Sequence, residues 1–308
     1  MKVIYNIEDW KEEAIVATIG FFDGVHHGHR FLLSEMQETA KKKGLPSAVI
    51  TFSKHPRVVL NSDYQPKLLN SFDEKIELLS KTGIDYIIVM DFTPELASLS
   101  AHDFITEELA AKWHVRTLLI GYDHRFGYLR ADGFEQYLVY GRECGIEVIK
   151  ASSYSEKGLA VSSTKIRNLI LQGDVAIVSQ LLGYPYHLNG HVVAGNKVGR
   201  SIGFPTANIT VDEKYKVIPL HGSYAVWIEI DDMSYKGMLY IGPRPTLEDD
   251  GDISIEANIF DFSEDIYGKS VTIEFVDFIR KNTKFDSLDE LVRQMYADKQ
   301  IAENKLTT

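Results

Sequence analysis

The stretch GFFDGVHHGH, residues 20–29, decides how the first half of this chain is read. It follows a short apolar run, residues 14–19, and opens a segment in which Leu32, Leu33, Met36 and Ala40 recur at helical spacing. Lys41, Lys42 and Lys43 followed by Gly44 end that segment as a cationic last turn and a C′ glycine do. His26 and His29 are thereby placed in a glycine-rich turn at a helix N-terminus, which carries roughly half a positive charge and several free N–H groups. The imidazoles add donors pointing the same way, and Gly20, Gly24 and Gly28 let a ligand approach the backbone. Such a place favours the α-phosphate of a nucleotide. The competing reading is a solvated histidine in an ordinary glycine turn. Phe-Asp-Gly followed by His-x-Gly-His, between a strand and a helix, argues against it.

Outward from this turn, strand-like and helix-like segments alternate up to about residue 183. Candidate strands are 14–19, 47–52, 86–91, 117–121 and 147–150, with helical patterns at 30–43, 72–82, 101–113 and 133–144 between them. Short apolar strands alternating with helices imply a doubly wound α/β domain, a parallel sheet covered on both faces. Ligands bind such sheets beyond the carboxyl ends of the strands. The opening turn is located there, as are TFSKHP (51–56) and GYDHRFGYLRADG (121–133).

Two short helices follow, 163–171 and 174–182, with Gly173 and Gly183 after them. From about Tyr186 the period changes. Tyr224, Val226, Ile228 and Ile230 alternate with other residues, as do Ile255, Ala257 and Ile259, then Val271, Ile273 and Phe275. Ser287 to Glu290 reads as a capping box opening a last helix that runs to about Asn304. The expected second domain is a small antiparallel β-barrel closed by one helix. The expected division is residues 1–183 and 184–308.

Composition limits the function classes. A chain of 308 residues is long enough for two cores. No apolar run approaches the ~20 residues that cross a bilayer, and residues 1–13 lack a signal-peptide core, which excludes a membrane transporter or efflux pump. A single cysteine, Cys144, makes no internal disulfide, fits a cytoplasmic location and is expected to be a buried, inert thiol. A net charge of −11 argues against extended nucleic-acid binding, which needs a basic footprint. A small anion still binds where local donors outweigh the global field.

Two further clusters carry chemistry. VSSTKIR, residues 161–167, starts a helix with Ser162, Ser163 and Thr164 beside Lys165 and Arg167. Cations at a positive helix end hint at a bound anion, whereas an ordinary N-cap with two solvated cations is the alternative. GRSIGFPTANI, residues 199–209, sets Thr206 and Asn208 on one face of an extended segment, with Gly199 and Gly203 permitting a close turn and Pro205 stiffening it. Hard oxygen ligands of low charge suit a Mg²⁺ ion that keeps waters and shares a nucleotide phosphate. A polar turn entering a strand is the alternative.

GFFDGVHHGH with SSTKIR resembles the nucleotidylyltransferase superfamily. TFSKHP and GYDHRFG are similar to one branch of it, the prokaryotic bifunctional riboflavin kinase/FMN adenylyltransferase (FAD synthetase) family, and the resemblance covers nearly the whole chain. It implies a Rossmann-like N-terminal domain and a riboflavin kinase-like antiparallel barrel of six strands with a C-terminal helix, with ATP, riboflavin and FMN as substrates, FAD as product and Mg²⁺ as cofactor. His26 and His29 would polarise the ATP phosphates. Gly20, Phe21, Asp23, Gly24 and Gly28 would line the nucleotide pocket, and Ser163, Thr164 and Arg167 would hold the triphosphate. Phe52, His55, Arg125 and Phe126 would bind the flavin. In the second domain the PTAN signature implies Gly199, Gly203 and Thr206 as nucleotide contacts, Thr206 and Asn208 as Mg²⁺ ligands, and Glu256 as the base for the ribityl 5′-hydroxyl. Small molecules are the implied partners, with weak self-association at most.

The chain departs from the family pattern at Lys54 (usually proline), His124 (phenylalanine), Tyr240 (asparagine), Leu247 (phenylalanine) and Asn258 (histidine). Arg280-Lys281-Asn282 stands where Arg-x-Glu is usual. Three other readings stand beside the leading one. They are adenylylation with a weak or silent kinase, a non-catalytic flavin sensor on the same fold, and a different nucleotidylyltransferase with an unrelated barrel.

Overall fold

Every residue of Ile15–Ile19 and of Ser47–Phe52 is buried, the signature of strands covered on both faces. These are β2 and β3 of a computed structural model that describes all residues except 61, 62, 64, 122–124, 129–131, 157–158, 196–202, 244–252 and 308. Two compact units result, Met1–Ser163 and Thr164–Thr308. In the first, β1 (Lys2–Ile4), β4 (Tyr86–Met90), β5 (Val115–Ile120) and β6 (Glu147–Lys150) complete a six-stranded sheet in the order β1-β4-β3-β2-β5-β6. Each neighbouring pair is parallel. The chain leaves β2 toward β3 and later returns to its other side as β5, so the end of β2 is the switch point of the winding. Ligands bind open α/β sheets at that point.

Helix α1 (His27–Lys43) starts three residues earlier than its apolar stripe suggests and ends on Gly44 in the left-handed region at φ 66°. The remaining helices of this unit are α2 (Pro56–Leu60), α3 (Phe72–Ser80), α4 (Pro94–Ser98), α5 (Ala101–Asp103) and α6 (Phe134–Cys144). The helix expected over 101–113 is not one α-helix: α5 passes directly into a π-helix, Phe104–Lys112. Strand β1 was not anticipated, because three residues are too few to show a period. Cys144 is half-buried rather than fully buried. Its thiol donates to the Tyr140 carbonyl at 3.3 Å, and burial pushes its pKa up, which leaves it a poor nucleophile.

A two-stranded ladder, β7 (Ser155–Glu156) and β8 (Leu159–Ala160), precedes α7 (Ser163–Gln172) and α8 (Val175–Leu182). The second unit is a closed barrel. Its strands are β9 (His187–Val193), β10 (Ala207–Val211), β11 (Gly222–Ile230), β12 (Met233–Pro243), β13 (Ile253–Ile259) and β14 (Ser270–Lys281), in the order β10-β13-β12-β11-β14-β9. Asp231 and Asp232, both at positive φ, turn β11 into β12 as the two-residue hairpins that match strand twist do. The last helix, α9 (Leu288–Lys305), packs on β11, β12 and β14. Its cap is half of the expected box. Ser287 accepts from Glu290 N–H at 3.3 Å, but the Glu290 carboxylate takes the N–H of Asp286 instead of that of Ser287.

An ion pair with a buried carboxylate fixes α9 to the barrel. Arg280 Nε lies 3.0 Å from Asp298 Oδ1, Arg280 Nη2 lies 2.8 Å from Oδ2, and Asp298 is 2% exposed. Asp298→Ala removes these charge-assisted hydrogen bonds while Arg280, partly exposed, keeps the Lys281 carbonyl and water, so barrel stability is expected to fall by about 2 kcal/mol. Urea unfolding followed by the fluorescence of Trp227 on β11 reads it.

Candidate functional site

The turn after β2 is strained where it matters. Phe22, Gly24 and Val25 take φ values of 57°, 88° and 35°, a cluster that side chains other than glycine rarely adopt. Bonds from outside the turn hold it. Asp23 is buried and its Oδ1 accepts from Leu69 N at 2.9 Å and Asn70 N at 3.4 Å. Ser163 Oγ donates to the Asp23 carbonyl at 2.8 Å, and Arg30 Nε donates to the Val25 carbonyl at 3.0 Å.

His26 is the N-cap of α1. Its Nδ1 accepts from His29 N–H at 3.3 Å, which leaves Nε2 as the donor nitrogen of a neutral ring. The His26 and His29 rings stack with centroids 3.7 Å apart and 15° between planes, and Phe22 meets His29 edge-on at 5.2 Å. No acidic side chain occupies the first turn of α1, where the helix end favours an anion. Gly28 has a use that the sequence did not suggest. A Cβ there would lie 3.2 Å from the His26 ring, so the glycine makes room for that imidazole over the helix. Gly20 does the same for the Phe22 ring at 3.1 Å.

Phe52, His55, Arg125 and Phe126 all line one cavity of about 460 Å³ in this unit, together with Phe21 and Phe104. Phe21 meets His55 edge-on at 4.7 Å, and Phe126 tilts toward Phe104 at 5.6 Å. A flat heteroaromatic ring fits such walls. Lys54 is exposed; His124 lies outside the described residues. Behind Phe126 lies a residue that sequence reasoning missed. Tyr137 on α6 is fully buried and stacks under Phe126 at 4.3 Å and 9°. Its hydroxyl accepts from Phe126 N–H at 3.1 Å and lies 3.1 Å from the Phe126 carbonyl oxygen. Tyr137→Phe removes the hydroxyl that ties α6 to the Phe126 backbone, so the KM for the cavity's ligand is expected to rise about tenfold with kcat little changed. Steady-state kinetics with that ligand varied measure it.

Lys75 on α3 is the second missed residue. It is 2% exposed, donates to the Phe52 carbonyl at 2.8 Å and Thr51 Oγ1 at 3.3 Å, and lies 4.2 Å above the Phe21 ring. A signal was present, because Lys75 occupies the same helical stripe as Leu78 and Leu79, a core position. Of the second cluster, Ser163 is the first residue of α7, and its hydroxyl is engaged by Asp23 as described. Thr164 and Arg167 follow on α7, with Arg167 Nη1 3.4 Å from Thr164 Oγ1.

In the barrel unit, Glu256 on β13 stands directly opposite Asn208 on β10 and Tyr240 on β12, so the three share one face. Thr206 Oγ1 donates to Glu256 Oε2 at 3.2 Å, and Ser254 Oγ donates to Oε1 at 2.9 Å. Burial and the Glu256 charge push the Tyr240 phenol above its usual pKa. Asn258 Nδ2 donates to the Pro205 carbonyl at 2.8 Å and so fixes the turn that presents Thr206. Asn282 Nδ2 donates to the Ile241 carbonyl at 3.2 Å, and Arg280 is committed to Asp298. Pro205 and Thr206 border a cleft of about 420 Å³ whose far wall includes Phe262 and Tyr267. Gly203 has φ 81°; Gly199 and Leu247 lie outside the described residues.

The donor set of this face is all oxygen: a hydroxyl, an amide and one carboxylate. Among the described residues no group of three or more His, Cys, Asp or Glu side chains is placed to hold a metal by itself. The set fits an ion such as Mg²⁺, which keeps waters and takes further ligands from phosphate.

A sequence model of the FAD synthetase family matches residues 8–165, and one of the riboflavin kinase family matches residues 182–306. The bifunctional riboflavin kinase/FMN adenylyltransferase of Listeria monocytogenes is 38% identical over 306 residues, spanning 97% of this chain and 96% of the relative. The Escherichia coli K12 protein of the same description is 35% identical over 296 residues, 96% of this chain and 94% of that one. A crystal structure from Streptococcus pneumoniae described as a macrolide-efflux protein superposes with a TM-score of 0.86 at 34% identity, covering 98% of this chain and 99% of that one. Among the described residues of the present chain, no helix is long and apolar enough to cross a membrane.

Proposed function

Because this chain belongs to the bifunctional riboflavin kinase/FMN adenylyltransferase family, we propose an assignment of its two activities to named residues. The function is FAD biosynthesis: ATP phosphorylates riboflavin to FMN, and a second ATP adenylylates FMN to FAD with release of pyrophosphate. Residues 1–183 adenylylate and residues 184–308 phosphorylate. The observation that carries the first assignment is the cavity of about 460 Å³ that gathers Phe52, His55, Arg125 and Phe126, whose wall residue Phe21 belongs to the Gly-His turn itself.

In adenylylation an FMN phosphate oxygen attacks the α-phosphorus of ATP, the bond from that phosphorus to the bridging oxygen breaks, and pyrophosphate leaves. His26, His29 and the N–H groups of the first turn of α1 stabilise the charge that builds on the phosphoryl oxygens. Gly20, Phe21, Asp23, Gly24 and Gly28 shape the nucleotide site, and Ser163, Thr164 and Arg167 hold the triphosphate. The aromatic walls orient the flavin, so positioning supplies the rest. In phosphorylation Glu256 takes the proton of the ribityl 5′-hydroxyl as its oxygen attacks the γ-phosphorus and ADP leaves. Thr206 holds the Glu256 carboxylate by its hydrogen bond and, with Asn208, would hold Mg²⁺. When bound, that ion neutralises phosphate charge. Gly199 and Gly203 border the nucleotide here. The partners are small molecules, neither nucleic acid nor membrane, with weak self-association at most, and the reactions run in the cytoplasm.

Incubation of the purified chain with riboflavin, ATP and Mg²⁺ tests this, with FMN, then FAD and pyrophosphate, as the expected products. Flavin binding without pyrophosphate release overturns it. A second reading, a weak kinase, is favoured by the Tyr240 phenol directly opposite Glu256. It predicts unconsumed riboflavin, with FAD formed only from supplied FMN.

A further inference from the structure

Lys75 is an ammonium group placed at the joint of two features that the proposed adenylylation uses. Its Nζ donates to the carbonyl of Phe52 at 2.8 Å and to Thr51 Oγ1 at 3.3 Å, at the carboxyl end of β3. It lies 4.2 Å above the Phe21 ring and 5.3 Å from the Phe72 ring. Thr51 Oγ1 in turn donates to the Phe21 carbonyl at 3.3 Å. Phe21 and Phe52 are both walls of the 460 Å³ cavity, and Phe21 opens the turn that carries His26 and His29. A side chain of this length, 2% exposed and bonded to a main-chain carbonyl, fixes what it touches. A buried lysine is costly in the charged form, and an apolar residue would fill the same core position without that cost.

We propose that Lys75 is a positioning residue of the adenylylation site, whose ammonium charge holds the flavin-facing rings Phe21 and Phe52 in register with the His26–His29 turn. This rests on the reading that the turn and the cavity together adenylylate FMN. The charged and titratable surroundings of the amine are few. From β3 it meets a neutral hydroxyl and a carbonyl, and from its own helix the Phe72 ring. The neighbouring Glu74 carboxylate is turned to Asn70 Nδ2 and Ser71 N. From the turn comes the Asp23 carboxylate, and on the far side of Phe21 lies the His55 ring. Burial pushes the Lys75 amine down to about 8, with the Asp23 charge opposing. Below that pH the amine is charged and makes the cation–π contact; above it the charge is gone.

The test measures FAD formation from FMN between pH 6.5 and 9.5, with riboflavin phosphorylation assayed on the same preparations. For the wild type, kcat/KM for FMN is expected to fall as pH rises through about 8. Lys75→Met is expected to lower kcat/KM for FMN about tenfold at pH 7 and to abolish that fall, leaving phosphorylation unchanged. Lys75→Arg, charged throughout this range, is expected to recover most of the activity and to move the fall beyond pH 9.5. His29→Ala separates the two claims. Should it still make FAD at the wild-type rate, the reading of the turn fails and the Lys75 proposal with it. With His29→Ala inactive, a Lys75→Met enzyme within twofold of wild type overturns the Lys75 proposal alone. If the methionine variant fails to fold, a wild-type profile with no fall near pH 8, or an arginine variant with an unshifted one, overturns it equally.

Discussion

His29→Ala is expected to lower FAD formation from FMN by about 10²–10³-fold while riboflavin phosphorylation proceeds at its normal rate. The size follows from the role proposed for the side chain. A donor aimed at developing phosphoryl charge, inside a site already walled by Phe22 and the His26 ring, stabilises the transition state more than the ground state. The loss should therefore fall on kcat, with the KM for FMN little altered, because the cavity walls Phe52 and Phe126 are untouched. The His29 backbone N–H that bonds to His26 Nδ1 survives the substitution, so the cap of α1 persists. Separation of FMN and FAD by chromatography, with a pyrophosphate assay, reads both activities on one preparation. Loss of both together would contradict the assignment to separate sites.

The converse experiment is Glu256→Gln. Riboflavin phosphorylation is expected to fall by about 10²–10⁴-fold, with adenylylation of supplied FMN unchanged. Glutamine keeps the volume and an oxygen that still accepts from Thr206 or Ser254, so the β10–β13 pairing is retained. It cannot take the proton of the attacking hydroxyl. A variant that phosphorylates at more than a tenth of the wild-type rate would show that Glu256 only orders Thr206 and that the hydroxyl proton leaves by another route.

Much of this arrangement was legible before any coordinates. Residues 20–29 combine strand end, glycine and histidine in a pattern with few alternatives, and the four residues carried over as flavin contacts do line one cavity. What escaped did so for physical reasons. Strand β12 reads as polar at its start, Met233 to Lys236, because that end of the strand is exposed or half-buried. Its clearest signal was the Asp231-Asp232 pair, which the alternation count passed over. Strand β9 contains Gly190, which suggests a turn; in the barrel it sits where the Thr210 carbonyl leaves no space for a side chain. Tyr137 and Lys75 escaped because they lie behind the walls, and a stripe of core positions does not say which cavity it supports. The π-helix did leave a trace. Its buried residues Phe104, Ile105, Leu109 and Ala110 repeat at five, a spacing that an α-helix does not keep on one face.

That π-helix has a bearing on how the cavity can change over generations. Hydrogen bonds that skip to the fifth residue let a helix accommodate an added residue without breaking. The nine residues Phe104–Lys112 form such a segment, with the cavity wall residue Phe104 at its head. Two residues, Trp113 and His114, separate its end from the sheet strand β5, so the length of the segment can vary while the strand register stays fixed. Gain or loss of one residue there rotates Phe104 about the helix axis and redraws the edge of the aromatic cavity. Evolution thus holds a local adjustment of the cavity's shape that leaves the His26–His29 turn, and the sheet that carries it, as they are.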